Sequence, residues 1–415
     1  MLEFYVESEV RRRQFRECPI EEHLDGFAGW LRSAGYKVRP GQLLLRGAAH
    51  LGMWTASRGV RVERIGDGVL RAFARHVRGC ACSHAFRGRD LYHWQGGHRF
   101  IEHLRAIGVV PPPAPAVERV APVIADFGAW MRRHRGIQTS TLGNYLSVVR
   151  EFVATVGDDA ATYDAARVRA YILARANRAR RSGAKLAANG VRMFLRYLVV
   201  RGDCAADLPA AVPRIAKWKL ASLPRYLVAD HIERLVAACD PTTAGGARDR
   251  AVILLCARLG LRAGDVRDLR LGDVAWSRGR LRVLGKGRCE TWLPLPQEVG
   301  DAMSQYLERF RPAIDDDHVF LRLHAPIGPL PSSGPISKLV RRAIDRAGIA
   351  PPSRGAHQLR HSAATALLRQ GASLDVIGAL LRHRSVESTA HYAKVDVVRL
   401  RAIAQPWPDG GGTSC

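Results

Sequence analysis

The chain has 415 residues, of which 47% are hydrophobic and 25% are charged, and this length and composition are ordinary for a folded protein of two or three domains. Its formal net charge of +26 favours a polyanionic partner, with nucleic acid first, although GC-rich codon usage would also favour arginine over the seven lysines present. Eight scattered cysteines exclude a disulfide scaffold, and the longest apolar run, residues 251–261, is too short to span a bilayer. The first 13 residues lack the apolar core of a secretory signal, so we expect reduced thiols and a cytoplasmic protein.

The first of three regions, residues 1–110, is predicted to be a mostly helical accessory region. Apolar residues recur at helical spacing at Leu24, Phe27, Ala28 and Leu31. The prolines that follow Val110 cannot continue a helix and predict a stiff linker. The arginines of this region suit a DNA arm-binding or a protein-contact module, and its sequence favours neither.

Cys80, Cys82 and His84 are the candidates for a metal site in this region. Structural zinc sites usually contain C-x₂₋₄-C pairs, and this C-x-C-x-H run lacks a clear second pair of ligands. Ordinary free cysteines and histidines are therefore the preferred interpretation. We predict that the protein uses no metal and no other cofactor.

Residues 116–205 are predicted to form a helical core DNA-binding domain, followed by a linker at 206–224. Apolar residues mark one face on each of three helices. These residues are Val123, Phe127, Trp130, Met131, Leu142, Tyr145, Val149, Phe152, Val153, Val191, Phe194, Leu195 and Leu198. Thr139, Ser140 and Thr141 are candidates for the N-cap of the second helix.

Basic residues in and just after this domain are the predicted DNA contacts. They are Arg175, Arg178, Arg180, Arg181, Lys185, Arg192, Lys217 and Lys219. Few acidic residues are interspersed to balance their charge, which favours contact with phosphates. A solvated helix face is the alternative interpretation.

The third region, residues 225–405, is predicted to mix helices with a small β component, and residues 406–415 are predicted to be a flexible tail. Residues 280–284 and 289–295 flank a glycine-containing turn, which predicts a β-hairpin with Lys286 at its tip. Helices are predicted to end near Gly260 and Gly371. Two short helices are expected over residues 374–381 and 386–392, after Ser373 and Ser385.

A set of six side chains in the third region is suited to attack on a phosphodiester. The set is Arg262, Lys286, His357, Arg360, His383 and Tyr392. Cationic groups hold and neutralise a phosphate and protonate the leaving oxygen, while a phenol acts as the nucleophile. Each residue alone is more often a surface or packing residue, so the prediction depends on all six occurring together.

The order and the local segments of these residues resemble the tyrosine recombinase (phage integrase) family. The matching segments are Gly260-Leu261-Arg262 with an acid three residues later, Gly285-Lys286-Gly287, His357-Gln358-Leu359-Arg360-His361-Ser362, and His383-Arg384-Ser385 leading to His391-Tyr392-Ala393. The resemblance covers residues 225–400, extends more loosely to 116–205 and leaves 1–110 outside. Arg382 departs from the family pattern, which usually has glycine before this histidine.

This resemblance implies a mainly α fold with a small β component, in which a helical, SAM-like core-binding domain precedes an α+β catalytic domain. It also implies a site-specific DNA recombinase that cuts and rejoins DNA without ATP or metal. Tyr392 would attack the scissile phosphate and form a 3′-phosphotyrosyl link.

The resemblance assigns a role to each of the other five residues. Arg262 and Arg360 would grip the non-bridging phosphate oxygens, and Lys286 would protonate the departing 5′-oxygen. His357 would exchange a proton with the nucleophile, and His383 would donate to a phosphate oxygen.

The implied partners are double-stranded DNA and three further copies of the chain, in a homotetramer on two DNA sites. Other recombinases are further candidate partners, no membrane is involved, and a cytoplasmic, nucleoid-associated enzyme of a bacterial mobile element is expected. Residues 396–403 form an amphipathic segment that protomers would exchange, or that packs on its own protomer.

Two other functions compete with recombination: DNA relaxation like that of a type IB topoisomerase, and DNA binding by a catalytically inert regulator. The separate helical domain and the short spacing from His383 to Tyr392 favour recombination. An inert regulator would need none of the six residues.

Overall fold

The computed structural model describes residues 1–113, 122–137, 139–178, 181–215, 224–284, 290–351, 353–383 and 386–393. The chain divides into two compact units, one made of Met1–Pro112 with Leu220–Cys415 and the other of Pro113–Lys219. Most described residues are helical and the strands are short, so the predicted fold class is confirmed. Within the described ranges, every helix is too short or too polar to span a bilayer.

The first 112 residues form helices around their own apolar core, to which Phe27, Leu45, Phe73 and Phe100 contribute fully buried side chains. The helices are α1 (Leu2–Tyr5), α2 (Glu9–Arg16), α3 (Glu21–Ser33), α4 (Val38–Ala56), α5 (Asp67–Arg78) and α6 (Leu91–Ala106). The backbone N–H of Ile327 donates to the carbonyl of Ala34 at 2.9 Å. This hydrogen bond joins the helical region to the last part of the chain within the same unit.

The second unit is a helical bundle. Its helices are α7 (Pro122–Arg135), α8 (Thr139–Val156), α9 (Ala165–Arg178) and α10 (Arg181–Arg201). Its core contains Phe127, Phe152 and Phe194, together with Leu208 and Val212 from the segment after α10. Thr139, Ser140 and Thr141 lie inside the first turn of α8, so the helix starts earlier than the N-cap prediction placed it.

The part of the chain after residue 224 contains eight further helices and five short strands within its described residues. The helices are α11 (Ala229–Ala237), α12 (Ala244–Arg258), α13 (Ala263–Asp268), α14 (Gln297–Arg309), α15 (Gly334–Arg346), α16 (Ala356–Arg369), α17 (Leu374–Leu380) and α18 (Val386–Ala393). The strands are β1 (Val274–Ala275), β2 (Arg280–Leu284), β3 (Glu290–Pro294), β4 (Leu321–Arg322) and β5 (Gly328–Pro329).

The predicted β-hairpin is present. Strands β1, β2 and β3 form an antiparallel sheet in that order, in which Arg282 pairs with Trp292 and Leu284 with Glu290. The tip of the hairpin, residues 285–289, lies outside the described residues. The predicted tail 406–415 and the exchange segment 396–403 lie outside them as well.

Helix α12 is the centre of the third region because it is apolar on all sides, with a continuous buried run from Ala251 to Ala257. Gly260 ends it with a left-handed φ of +59°. Helix α16 runs from Ala356 to Arg369 and is followed by Gly371 at φ +89°, so both predicted helix ends are confirmed. These two turns fix where the chain leaves the core beside the predicted site.

Candidate active site

Arg360 lies at the centre of the candidate site and is 1% exposed. Its guanidinium donates to the carbonyl of Gly260 at 2.5 Å and to the carbonyl of Leu381. The turn after α12 and the end of α17 therefore hold this side chain in one position. Burial, together with the charges of Arg262 and Arg382, lowers the pKa of Arg360 to about 10.

Arg262 lies directly before α13, and a carboxylate on that helix organises its surroundings. The backbone N–H of Arg262 donates to Oδ2 of Asp265 at 3.0 Å, and its guanidinium donates to the carbonyl of Arg382 at 3.4 Å. The Arg262 side chain remains 40% exposed, whereas Asp265 is 11% exposed. Asp265 thus contacts an arginine on each side, while the Arg262 guanidinium stays accessible to a ligand.

Arg382, which departs from the family pattern, is inside the site rather than on its surface. Its side chain is 7% exposed and donates from Nη2 to Oδ2 of Asp265 at 2.6 Å. Its φ of 53° is the only left-handed value at a non-glycine position among the described residues. The backbone therefore adopts the conformation that glycine allows most easily. The buried ion pair with Asp265 offsets the free-energy cost of this conformation.

The hydroxyl of Tyr392 lies 2.8 Å from Nδ1 of His361, one turn of α16 beyond His357. Tyr392 is 2% exposed, and burial raises its pKa to about 12 although Arg360 and Arg262 act in the opposite direction. Burial, with His357 and His391 as the nearest contributing charges, lowers the pKa of His361 to about 4. His361 is therefore an uncharged ring at neutral pH, and its Nδ1 can accept a hydrogen bond from the phenol.

His357 and His383 lie on either side of this pair. The rings of His357 and His361 are 4.4 Å apart, and the ring of His383 is parallel to that of Tyr392 at 6.2 Å. Nδ1 of His383 shares a 2.8 Å hydrogen bond with Oγ1 of Thr389, which leaves Nε2 for a ligand. Burial and the nearby arginines lower the pKa of His383 to about 4.

The pKa of His357 is also lowered, although part of its ring remains exposed to solvent. Burial of the His357 ring among protein atoms contributes most to the lowering of its pKa, followed by the charges of Arg360 and Arg262. The site therefore combines permanent positive charge on arginines with uncharged histidines. An anion that entered it would relieve the repulsion between the arginines.

The structure brings five of the six predicted catalytic residues together, namely Arg262, His357, Arg360, His383 and Tyr392. The sixth, Lys286, lies outside the described residues. Two partners were not predicted: His361 at the nucleophile and Thr389 at His383. The i,i+4 spacing of His357 and His361 on one helix face was the signal for His361, and no comparable pattern pointed to Thr389.

The predicted DNA contacts in the second unit fall into different environments. Arg175 is ion-paired with Glu151, and Arg192 donates to the carbonyls of Val212 and Pro213 at 3.1 and 3.2 Å. Arg178 is exposed and Lys185 is half-buried. Arg180, Lys217 and Lys219 lie outside the described residues, and so does the side chain of Arg181.

A basic groove in the second unit includes arginines that the sequence pattern did not single out. It is lined by Trp130, Arg135, Arg192, Arg196 and Arg214, with apolar residues between them. Burial and the charges of Arg196 and Arg214 lower the pKa of Arg192. Arg192 and Arg196 are four residues apart on α10, so helical spacing was the available signal.

The metal candidates of the first region are close to two histidines from other helices. Cys80 and Cys82 lie beside His50 of α4 and His76 of α5, with all four donor atoms within 4.8 Å of one another. His84 is not one of these four, and its ring contacts that of His50 at 5.1 Å.

Comparison with known proteins gives consistent results. Residues 225–399 match the model of the "Phage integrase family". The chain is 37% identical over 413 residues to "Putative integrase/recombinase y4rA" of Sinorhizobium fredii (strain NBRC 101917 / NGR234), covering 98% of this chain and 99% of that protein. It is 36% identical over 249 residues to "Tyrosine recombinase XerD" of Xanthomonas axonopodis pv. citri (strain 306), covering 57% of this chain and 78% of that protein.

Among solved structures, a lambda integrase tetramer bound to a Holliday junction has a similar fold. The TM-score is 0.51 and the sequence identity 21%, over 72% of this chain and 89% of that one. The fold, the clustered site and the sequence similarity across almost the whole length agree, and the chain belongs to the tyrosine recombinase (phage integrase) family.

Proposed function

We propose that this site-specific recombinase cleaves and rejoins DNA through a covalent bond between Tyr392 and a 3′-phosphate. The observation that carries the proposal is the 2.8 Å contact between the Tyr392 hydroxyl and a neutral His361, beside the buried guanidinium of Arg360. The hydroxyl has a proton acceptor, and the negative charge of a phosphate has two arginines to meet it. Nucleophile, base and anion clamp are the parts that transesterification requires.

In this proposal Arg262 and Arg360 bind the non-bridging oxygens of the scissile phosphate. Arg360 is held by two backbone carbonyls and loses little freedom when it binds, while the exposed guanidinium of Arg262 can move toward the anion. Donors fixed in advance stabilise the charge of the pentacoordinate transition state better than mobile ones. His383 donates to the same phosphate from Nε2.

We assign acceptance of the Tyr392 proton to His361, and place His357 at the exposed side of the pair, toward the phosphate. This differs from the role that the family resemblance implies for His357. The bond from the phenolic oxygen to phosphorus forms while the bond to the 5′-oxygen breaks. Lys286 is proposed to protonate that leaving oxygen, and attack by the 5′-hydroxyl of another strand reverses the step and releases Tyr392.

A nicked suicide substrate tests the proposal, because loss of the short fragment that carries the released 5′-hydroxyl removes the group needed to reverse the step and traps the covalent intermediate. Tiled nicked duplexes from the DNA that flanks the gene are incubated with the full chain, and protein–DNA adducts are separated under denaturing conditions. Wild type is expected to form an adduct, and Tyr392→Phe is expected to form none. Arg360→Ala should slow adduct formation by about 10²–10³-fold, the effect of losing one oxyanion donor.

Tyr306→Phe is the matched control, because Tyr306 is also buried and its hydroxyl also has a hydrogen-bond partner, the backbone N–H of Leu321. This variant should form the adduct at the wild-type rate. An adduct that survives in Tyr392→Phe contradicts the assignment of the nucleophile. Relaxation of supercoiled plasmid by wild type, with no exchange between two sites, would favour a topoisomerase instead.

The second unit is proposed to bind the DNA backbone through the groove that contains Arg135, Arg192, Arg196 and Arg214. Like charges held this close favour an anion, and the Trp130 ring supplies an apolar wall.

A homotetramer on two DNA sites is also proposed, supported by the similar fold of the lambda integrase tetramer. Analytical ultracentrifugation with a suicide substrate tests it, and a 1:1 complex at all concentrations would contradict it.

A further inference from the structure

Four potential metal ligands converge in the first region from three separate segments. Nε2 of His50 lies 3.2 Å from Nε2 of His76 and 3.5 Å from Sγ of Cys80. Sγ of Cys82 lies 3.4 Å from Nε2 of His76. The two imidazoles come from α4 and α5, and the two thiols come from the segment after α5.

Three of the six distances between the donor atoms match the edges of a tetrahedron around one metal ion, and the other three are within 4.8 Å. Zinc bonds of about 2.0–2.1 Å to nitrogen and about 2.3 Å to sulfur place tetrahedral ligands about 3.3 Å apart for two nitrogens and about 3.6 Å apart for nitrogen and sulfur. The observed separations are 3.2 Å between the nitrogens and 3.5 and 3.4 Å between nitrogen and sulfur. A common centre at bonding distance from all four atoms is therefore compatible with the geometry.

Hydrogen bonds by themselves do not account for this arrangement. A ring nitrogen carries either one hydrogen or one lone pair, and Nε2 of His50 faces both His76 and Cys80. Nε2 of His76 likewise faces both His50 and Cys82. With one hydrogen or one lone pair on each ring nitrogen, at least one of these three contacts has no linear hydrogen bond, whereas a central cation accepts a lone pair from all four donor atoms.

The second nitrogen of His50 also has a hydrogen-bond partner, as the second nitrogen of a metal-binding histidine usually does. Its Nδ1 lies 3.2 Å from Nδ1 of His93, and His50 is completely buried. A hydrogen on Nδ1 that is shared with His93 leaves the lone pair of Nε2 directed at the cluster. Such an outer partner fixes both the tautomer and the orientation of the ring.

We propose that His50, His76, Cys80 and Cys82 bind a structural zinc ion. Two thiolates and two imidazoles in tetrahedral geometry favour zinc over hard cations such as magnesium or calcium, which prefer oxygen ligands. All four positions are filled by protein, so the site is structural rather than catalytic. The ion ties α4, α5 and the segment at 80–82 together. His50 and His76 are the second pair of ligands that the C-x-C-x-H run lacks.

The test uses the full chain, purified under reducing conditions, incubated with zinc and desalted. Metal analysis is expected to give about one zinc ion per chain, as for a closed four-ligand structural site. Replacement by Co²⁺ should give the intense visible bands of tetrahedral cobalt together with a thiolate charge-transfer band. Cys82→Ser and Cys80→Ser should each lose most of the zinc.

Cys204→Ser is the matched control, since Cys204 is half-buried like Cys82 but belongs to the second unit. It should keep the full zinc content. Wild type that retains no zinc, or zinc retained by the double variant Cys80→Ser/Cys82→Ser, overturns the proposal. If the serine variants do not fold, the cobalt spectrum of wild type decides: tetrahedral thiolate bands support the site, and a weak octahedral spectrum or no binding overturns it.

Discussion

Tyr392 is protected from ionisation until a substrate is in place. Burial raises the pKa of Tyr392 to about 12 and lowers the pKa of His361 to about 4, so proton transfer between them in the free enzyme is unfavourable. The proton can leave only as the new oxygen–phosphorus bond forms. In the proposed mechanism His361 therefore acts as a general base in the transition state rather than as a group that generates phenolate beforehand.

The pH dependence of cleavage should reveal this role. Because the pKa of His361 is lowered to about 4, the ring stays neutral and able to accept a proton down to that pH. The contribution of His361 to the cleavage rate is therefore present above about pH 4 and is lost only as the pH falls through that value. Single-turnover adduct formation by His361→Gln should be about 10²–10⁴-fold slower at pH 7. Its rate should then rise with pH between 5.5 and 8 more steeply than that of wild type, because hydroxide replaces the missing base. Parallel profiles for the two proteins would contradict the assignment.

Asp265 contacts both Arg262 and Arg382, so replacing Asp265 and replacing Arg382 should have different effects on stability. Asp265→Asn leaves the buried Arg382 without its counter-charge, and we expect the free energy of unfolding to fall by about 3–5 kcal/mol. Arg382→Gly leaves Asp265 with a second cationic partner, because Nη1 of Arg262 is 3.9 Å away. It also removes the cost of holding a non-glycine residue in the left-handed conformation, which is about 1–2 kcal/mol.

Arg382→Gly should therefore change the free energy of unfolding by no more than about 1 kcal/mol. Thermal unfolding of the full chain, followed by circular dichroism, measures both variants. A larger loss in Arg382→Gly than in Asp265→Asn would show that the arginine side chain, and not the carboxylate, organises this corner of the site.

At the scale of elements, the turn between α12 and α13 positions the phosphate clamp. Gly260 adopts φ +59°, and its carbonyl accepts a hydrogen bond from Arg360. A Cβ atom at this position would lie 2.5 Å from Cδ2 of Leu381. The backbone conformation therefore favours glycine, and the buried Leu381 side chain would have to move to admit a Cβ atom.

Gly260→Ala should displace this turn and the arginine that it holds. We expect a loss of about 1–3 kcal/mol of stability and slower adduct formation, because a left-handed alanine and a steric contact are introduced together. Gly264→Ala is the matched control: a Cβ there meets no atom within 4 Å, and the position is helical. That variant should be as stable as wild type or slightly more stable. Equal effects of the two substitutions in thermal unfolding and adduct assays would contradict this account of the turn.

The elements that the sequence predicted best are those with strong local signals. The bounds of α16 follow from the apolar face that ends at Leu368 and from Gly371, and the strands of the hairpin follow from alternation on both sides of a glycine-containing turn. The start of α8 was placed less well, because three consecutive Ser and Thr residues are all acceptable N-caps. Local chemistry identifies an element more reliably than its first residue.

At the scale of the whole molecule, the second unit has an apolar core of its own, and we expect it to fold without the rest of the chain. Residues 113–219 expressed alone should give a helical circular dichroism spectrum with a cooperative thermal transition. A non-cooperative transition would show that the unit depends on contacts with the remaining chain.

The same fragment should bind duplex DNA weakly, with an affinity that falls as salt rises. Arg196→Glu in the groove should weaken binding and reduce the salt-dependence slope by about one, as loss of one phosphate contact does. Arg167→Glu is the control, because Arg167 already lies 3.6 Å from the carboxylate of Asp164. Equal losses in the two variants would argue against the groove as the DNA-binding surface.

The family and the fold class could be predicted from the sequence, and so could the candidate nucleophile and most of the residues around it, since these depend on residue types at characteristic spacings and on local periodicity. The contacts between groups became known from the folded structure: His361 at Tyr392, Asp265 between Arg262 and Arg382, and the histidines beside Cys80 and Cys82. The physical reason is that each of these clusters includes a contact between residues far apart in the chain: His361 with Tyr392, Asp265 with Arg382, and His50 with Cys80. The local sequence pattern does not show which distant residues meet. The packing of helices around a common core brings them together.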